Sequence, residues 1–212
     1  MFYDTESNNH GLPFNPFKAC IVPRPIGWIT SLDKAGNLNL APYSYFNAIS
    51  DVPPMIMFST TTKHHDCGIK DTLKNVEETK EFVVNIATWN LREQVNITST
   101  DFNRGISEVE MANLLISPSK YVKPPRVNGS PIQLECVHHQ SIQLPVIDDK
   151  HTNRLAIAKV IGIHIDDSII IDGKIDITKF KPICRLGYME YSTIDSKFSM
   201  ERPYINPNSI RG

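Results

Sequence analysis

The order of strand-type and helix-type segments along this chain leaves few folds open to it. Strand patterns crowd the two ends, and helical patterns are gathered between them. Ile26 to Leu32 and Leu38 to Tyr43 flank the turn-forming stretch Asp33-Lys34-Ala35-Gly36-Asn37, which predicts a hairpin. Met55 to Thr60, introduced by Pro53-Pro54, and Phe82 to Ala87 are the next strand candidates; the prolines mark a strand start, because they cannot sit inside a central strand. A helix is predicted over Ile69 to Thr79, where Ile69, Leu73 and Val76 share one face. Two more are predicted, over Leu91 to Ile97 and Glu108 to Leu115, the latter opened by the capping pattern Ser107-x-x-Glu110. Strands then return. Ile132 to Cys136 and Ser141 to Val146 carry apolar residues at alternate positions, and Ile161, Ile163 and Ile165 have the period of a half-buried strand. Ile169 to Ile171, Asp172-Gly173 and Ile175 to Ile177 predict a tight hairpin, and Arg185 to Tyr191 the last strand.

A doubly wound parallel sheet needs a helix after nearly every strand. This order instead predicts a mostly β fold with helical insertions, a Greek-key-like antiparallel barrel. We expect a single domain over 1–212, with extended arms at 1–16 and 193–212. The long connection from Thr98 to Pro131 has a proline-rich end, Pro118 to Pro131, expected to pack on a neighbour or line a pocket.

Several function classes are disfavoured at once. With 22 basic and 23 acidic residues the net charge is −1, whereas a general nucleic-acid binder needs an excess of cations. No apolar run approaches the roughly 20 residues of a membrane helix, and Met1 to Asn9 lacks the layout of a signal peptide. Cys20, Cys67, Cys136 and Cys184 are widely spaced, the pattern of free thiols in a reducing cytoplasm. A cytoplasmic protein is the expectation, with no nucleic acid or membrane as partner. All ten glycines are isolated, so the clustered glycines of Rossmann and P-loop nucleotide sites are missing.

A phosphate could still be held at the strand-to-helix transition from Ser59 to Asn75. Ser59, Thr60, Thr61 and Thr62 give consecutive hydroxyls, Lys63 follows, and Cys67-Gly68 is read as opening a helix that carries Lys70, Asp71 and Thr72. Hydroxyls, free N–H groups at a helix start and a cation are what a phosphate requires. The alternative is a threonine-rich surface loop with an ordinary lysine. His64-His65-Asp66-Cys67 and His138-His139 invite a metal reading, but adjacent residues diverge on a strand or helix. No metal site is therefore expected, although His64 and His65 could touch a ligand.

The block Pro23-Arg24-Pro25-Ile26-Gly27-Trp28-Ile29-Thr30-Ser31, followed by Asn39-Leu40-Ala41-Pro42-Tyr43-Ser44-Tyr45-Phe46-Asn47, closely resembles the flavin reductase-like family of FMN-binding split-barrel proteins. Lys70-Asp71-Thr72-Leu73-x-Asn75, Phe82-Val83-Val84-Asn85, Leu134-Glu135-Cys136 and Arg185-Leu186-Gly187 follow in the family's order. The resemblance spans roughly Phe17 to Tyr191. It implies a homodimer with FMN near the subunit interface. Trp28, Thr30 and Ser31 would lie beside the flavin, and Ser44, Phe46, Asn47, Ala48 and Ile49 would follow the isoalloxazine edge. Ser59, Thr60, Lys70, Thr72 and Asn75 would bind the phosphate, and Arg185 and Tyr191 would approach from the partner subunit. The implied activity is reduction of flavin by NADH or NADPH, with electrons passing to free flavin or another small-molecule or protein acceptor. The alternative is a flavoredoxin-like FMN electron carrier, reduced by a protein partner and without a nicotinamide site. No catalytic acid–base residue is assigned, since the redox chemistry belongs to the cofactor; N–H groups of a Phe46 to Ser50 turn could stabilise its reduced form. The chain departs from the family at Tyr188, where a second glycine is usual, and this could narrow the pocket.

Overall fold

A computed structural model describes residues 1–66, 68–149, 151–201 and 203; Cys67 and half of the expected C-terminal arm lie outside them. The chain forms β1 (Arg24–Pro25), β2 (Gly27–Leu32), β3 (Leu38–Tyr43), β4 (Phe46–Asp51), β5 (Pro54–Thr62), α1 (Asp71–Thr79) and β6 (Glu81–Ile86). Next come α2 (Arg92–Ile97), α3 (Glu108–Met111), β7 (Ile116–Ser117), β8 (Arg126–Val127), β9 (Ile132–Gln143) and β10 (His151–Ile165). The chain continues with β11 (Ile170–Ile171), β12 (Lys174–Ile175), α4 (Ile177–Phe180), β13 (Ile183–Arg185) and β14 (Tyr191–Thr193).

Seven strands make one antiparallel sheet in the order β3-β2-β6-β9-β10-β5-β4. Its two edge strands, β3 and β4, are neighbours in sequence. The sheet therefore curls until its ends meet around Ser44 and Tyr45, where the Ser59 N–H donates to the Tyr45 carbonyl at 2.8 Å. This curled sheet is a split barrel.

Inside it, Ile29, Phe46, Ile56, Phe58, Phe82 and Val84 pack with Leu73 and Val76 of α1. On the far side of β2, Trp28 and Leu40 pack with Ala87, Val95, Val109, Val127 and Ile183. Alternate residues of β2 thus feed two cores, and five of its six are buried. Gly27 lies under Phe46: a Cβ there would stand 2.8 Å from the ring's Cδ2. Gly27→Ala is expected to cost about 1–3 kcal/mol by overpacking, read from chemical denaturation.

The structure corrects several sequence expectations. β4 is a strand paired with β5 from Phe46↔Phe58 to Asp51↔Pro54; the expected Phe46 to Ser50 turn does not form. Ile132 to Cys136 and Ser141 to Val146 are not two strands, since residues 132–143 run through as β9. A register shift in its pairing with β10 between His138 and Gln140 breaks the apolar alternation that suggested a gap. A second shift at Ile161 turns Ile161, Ile163 and Ile165 toward solvent, Ile163 being 54% exposed. The last strand is a hairpin, β13 and β14, around residues 186–190. The 169–177 hairpin is shorter than expected, and Ile177 begins α4. Its turn residues Asp172 and Gly173 both have positive φ, as a type I′ turn requires. The Ser107 cap forms, its hydroxyl accepting from the Glu110 N–H, but α3 stops at Met111 instead of Leu115. No helix among the described residues is long and apolar enough to cross a membrane.

Candidate functional site

β5 carries Ser59 to Thr62 out of the barrel, and residues 63–70 bring the chain back to α1. The helix opens at Asp71, with Lys70 at its N-terminal cap, later than the expected opening at Cys67-Gly68. Arg104 fixes this return loop: its Nε bonds Asp66 at 2.6 Å, its Nη1 reaches the Asp71 carboxylate and its Nη2 bonds the Ile69 carbonyl at 3.1 Å. The Arg104 bond, joined by the Gly68 N–H, holds the Asp66 carboxyl well below the usual carboxylate range.

The strand end and the helix start face a cavity of about 270 Å³ whose lining includes Ser44, Ser59, Thr60, Thr61, Thr62, Lys70 and Thr72. Thr72 Oγ1 accepts from Asn39 Nδ2 at 2.7 Å, and its hydroxyl also faces the Tyr43 phenol. Thr60 is 2% exposed, and its Oγ1 has no hydrogen-bond partner among the described residues. Lys70 Nζ donates to Asp101 Oδ1 at 2.8 Å. Burial acts to raise the Asp101 carboxyl, but Lys70 and then His64 outweigh it and the net displacement is downward. Glu108, which accepts from the Leu40 N–H at 3.2 Å, is moved the other way by burial. Burial pushes the Tyr43 phenol up to about 12.

A second cavity, of about 320 Å³, shares Lys18, Pro42, Ser44, Tyr45 and Ser99 with the first. The two form one trough. Its far end is made by Arg185, Tyr188 and Tyr191, with the Arg185 guanidinium 4.4 Å from the Tyr191 ring centroid. Tyr188 is held at φ +55°, and the Phe14 ring packs edge-on against it at 5.8 Å.

Of the expected site residues, Ser44, Ser59, Thr60, Lys70 and Thr72 meet at one end of this trough, and Arg185 and Tyr191 stand at the other. These last two line the trough of their own chain. The side chains of Trp28, Thr30, Ser31, Phe46 and Asn75 are buried and stand behind the trough instead of lining it. The Trp28 indole N–H donates to Thr98 Oγ1 at 2.8 Å, Thr30 to the Pro125 carbonyl at 2.6 Å and Asn75 to Ser31 Oγ at 3.2 Å. Burial on β2 and α1 consumes these groups; Trp28 acts on the trough through Thr98, which does line it. Asn47, Ala48 and Ile49 lie exposed on the edge strand β4, outside the trough. Sequence reasoning missed Asn39, Asp101 and Glu108. One signal was available: Thr98-Ser99-Thr100-Asp101 is a second run of hydroxyls ending in a charge, like Ser59 to Lys63.

A curled split barrel with a hydroxyl-and-lysine cradle opening into a trough is the framework of a flavin-binding protein. The chain belongs to the flavin reductase-like family, whose domain matches residues 19–174. A protein of uncharacterised function from Aquifex aeolicus is 37% identical over 172 residues, covering 81% of this chain and 84% of its own length. Nitrilotriacetate monooxygenase component B from Bacillus cereus superposes with a TM-score of 0.86 at 31% identity, over 94% of this chain and 98% of that one. The 2-nitrobenzoate 2-nitroreductase of Pseudomonas fluorescens gives 0.81 at 26% identity, over 98% and 99%. A flavin-associated oxidoreductase role follows from this membership.

Proposed function

We propose that the trough binds FMN, and that the protein takes electrons from NADH or NADPH and passes them to free flavin or another acceptor. The observation that carries this reading is the cradle itself. Thr60 has a buried hydroxyl with no partner among the described residues, beside Lys70 and Thr72, in a cavity continuous with one flanked by aromatic rings. A phosphate would accept from all three and remove the cost of the orphaned hydroxyl, about 1–3 kcal/mol. Bound there, the flavin supplies the redox chemistry. Lys70 and the β5 hydroxyls anchor it, and Trp28 through Thr98 keeps the wall in place. The Arg185–Tyr191 pair gives a flat cationic surface for a planar ring system.

Thr60→Val tests the cradle in isolation. The free protein should lose no stability in thermal melting, because an unsatisfied hydroxyl is removed. FMN affinity should fall about 3- to 10-fold, one neutral hydrogen bond's worth. Unchanged affinity would exclude Thr60 as a ligand-binding group.

A homodimer is part of the proposal. The outer edge of β4 has no strand partner among the described residues, and Val52, Ile161 and Ile163 expose apolar side chains, which a second copy would cover. A second reading, an FMN electron carrier without a nicotinamide site, is favoured by one observation: Tyr188, backed by the Phe14 ring, occupies the far end of the trough. Anaerobic titration of the FMN-loaded protein with NADH and then NADPH separates the two. Rapid bleaching establishes the reductase; resistance to both donors, with reduction by a redox protein, establishes the carrier.

A further inference from the structure

The turn after β5 brings together three groups that the sequence argument kept apart. Neighbouring residues diverge on a regular strand or helix, but His64 and His65 leave β5 in a turn, and their ring centroids lie 4.1 Å apart. One ligand atom from each imidazole and one from Asp101 all lie within 4.8 Å of one another. His64 Nε2 is 3.5 Å from Asp101 Oδ1, and His65 Nδ1 is 3.5 Å from Asp101 Oδ2. Each separation is close to the edge, about 3.4 Å, of a tetrahedron with metal–ligand bonds of about 2.1 Å; because they run to different oxygens of Asp101, an ion held by both histidines would meet the carboxylate through both oxygens. The two imidazoles use different nitrogens, which is how adjacent side chains can reach one point.

The outward nitrogens are held as well. His64 Nδ1 is 3.0 Å from Asp66 Oδ1, and His65 Nε2 is 3.0 Å from Asn103 Oδ1. Metal-ligating histidines characteristically pair their other ring nitrogen with a carboxylate or carbonyl oxygen, which fixes the tautomer and the ring orientation. Arg104 in turn holds Asp66. His64 is 5% exposed and faces oxygen on both sides, since its Nε2 also lies 3.0 Å from the Phe102 carbonyl. A neutral imidazole has one N–H. With that proton on Nδ1, directed at Asp66, the Nε2 lone pair faces two oxygens, an arrangement a cation between them would satisfy. The competing arrangement puts the proton on Nε2 and leaves Nδ1 the long 3.4 Å contact with the Asp66 N–H.

We propose that His64, His65 and Asp101 form a site for a divalent transition metal, with zinc as the representative ion, at the rim of the trough. Two histidines and one carboxylate with positions left open is an established donor set for such ions. Oδ1 of Asp101 also accepts from Lys70 and Oδ2 from the His65 backbone N–H at 2.9 Å, and each carboxylate oxygen keeps a further lone pair for the ion. His64 and Asp101 line the same cavity as Thr60 and Lys70, so the ion adds positive charge beside the phosphate cradle.

The test uses the full chain, stripped of metal and flavin, titrated calorimetrically with Zn²⁺ at neutral pH, and with Co²⁺ followed by visible absorption. One ion per chain is expected, with a Co²⁺ spectrum free of thiolate charge transfer. His65→Ala and Asp101→Asn should each weaken Zn²⁺ binding at least about 10-fold. Both side chains are exposed, so circular dichroism should show each variant folded. Absence of saturable binding, wild-type affinity in either variant, or a thiolate band would overturn the site. FMN affinity is measured separately and does not enter the test, so failure of the flavin reading leaves this result unaffected.

Discussion

Lys70→Ala should lower the affinity for FMN about 10- to 100-fold while leaving the affinity for riboflavin, which lacks the phosphate, nearly unchanged. Lys70 is the cation at the cap of α1, beside the Ser59 to Thr62 hydroxyls and Thr72. A charge-assisted hydrogen bond to a phosphate contributes about 1.5–3 kcal/mol, and each 1.4 kcal/mol is a factor of ten. The same substitution should cost the free protein little, because the Lys70–Asp101 pair is partly solvated and such pairs contribute about 0–1 kcal/mol. Flavin fluorescence titrations with both ligands, beside thermal melts, give the answer. If the preference for FMN over riboflavin survives in the variant, the phosphate does not sit at Lys70.

Glu135→Gln should produce the largest loss of stability, about 2–4 kcal/mol, although Glu135 lies outside the trough. Its side chain is fully buried on β9, and its two oxygens accept from the backbone N–H groups of Lys120 at 2.7 Å, Tyr121 at 2.6 Å and Val122 at 3.2 Å, and from His164. These bonds dock the proline-rich excursion onto the barrel wall. An amide brings a donor to a place where every neighbour is a donor, leaving buried groups unpaired. At roughly 2–4 °C per kcal/mol for a chain of this size, the melting temperature should fall by about 4–16 °C.

The pH dependence follows from the same carboxylate. Burial alone acts to raise its pKa, but the Lys120 N–H, His164 and the Tyr121 and Val122 N–H groups outweigh burial and leave it below the usual value. A carboxylate depressed in the folded state contributes stability that is complete above the unfolded pKa, about 4.3. That contribution is lost as pH falls through the folded value. Denaturation midpoints of the wild type should therefore drop below about pH 4 more steeply than those of Glu135→Gln. Parallel profiles would remove Glu135 from the account.

Much of the fold was legible because it rests on local chemistry. The Asp33 to Asn37 turn, the entry of β5 at Pro54, the apolar face of α1 and the Asp172-Gly173 turn each depend on residues within a few positions of one another. The elements read incorrectly are those in which a tertiary partner changes the period. Register shifts near His139 and Ile161 break the alternation of β9 and β10. β4 carries no apolar alternation and forms only because β5 lies beside it.

The site divides along the same line. Sequence alone determined the hydroxyl run, Lys70 and Thr72, because strand end and helix start are close in the chain, and the ordered motifs pointed to the family. It could not determine which residues of β2 face a ligand, since a central strand between two cores buries Trp28, Thr30 and Ser31 alike. Nor could it bring Asp101 to Lys70, 31 residues away, or Arg185 and Tyr191 to the end of the same trough as Thr60. Contacts across such separations come from the curl of the sheet and the docking of the long excursion, and these depend on the summed packing of the whole barrel rather than on any short stretch of chain.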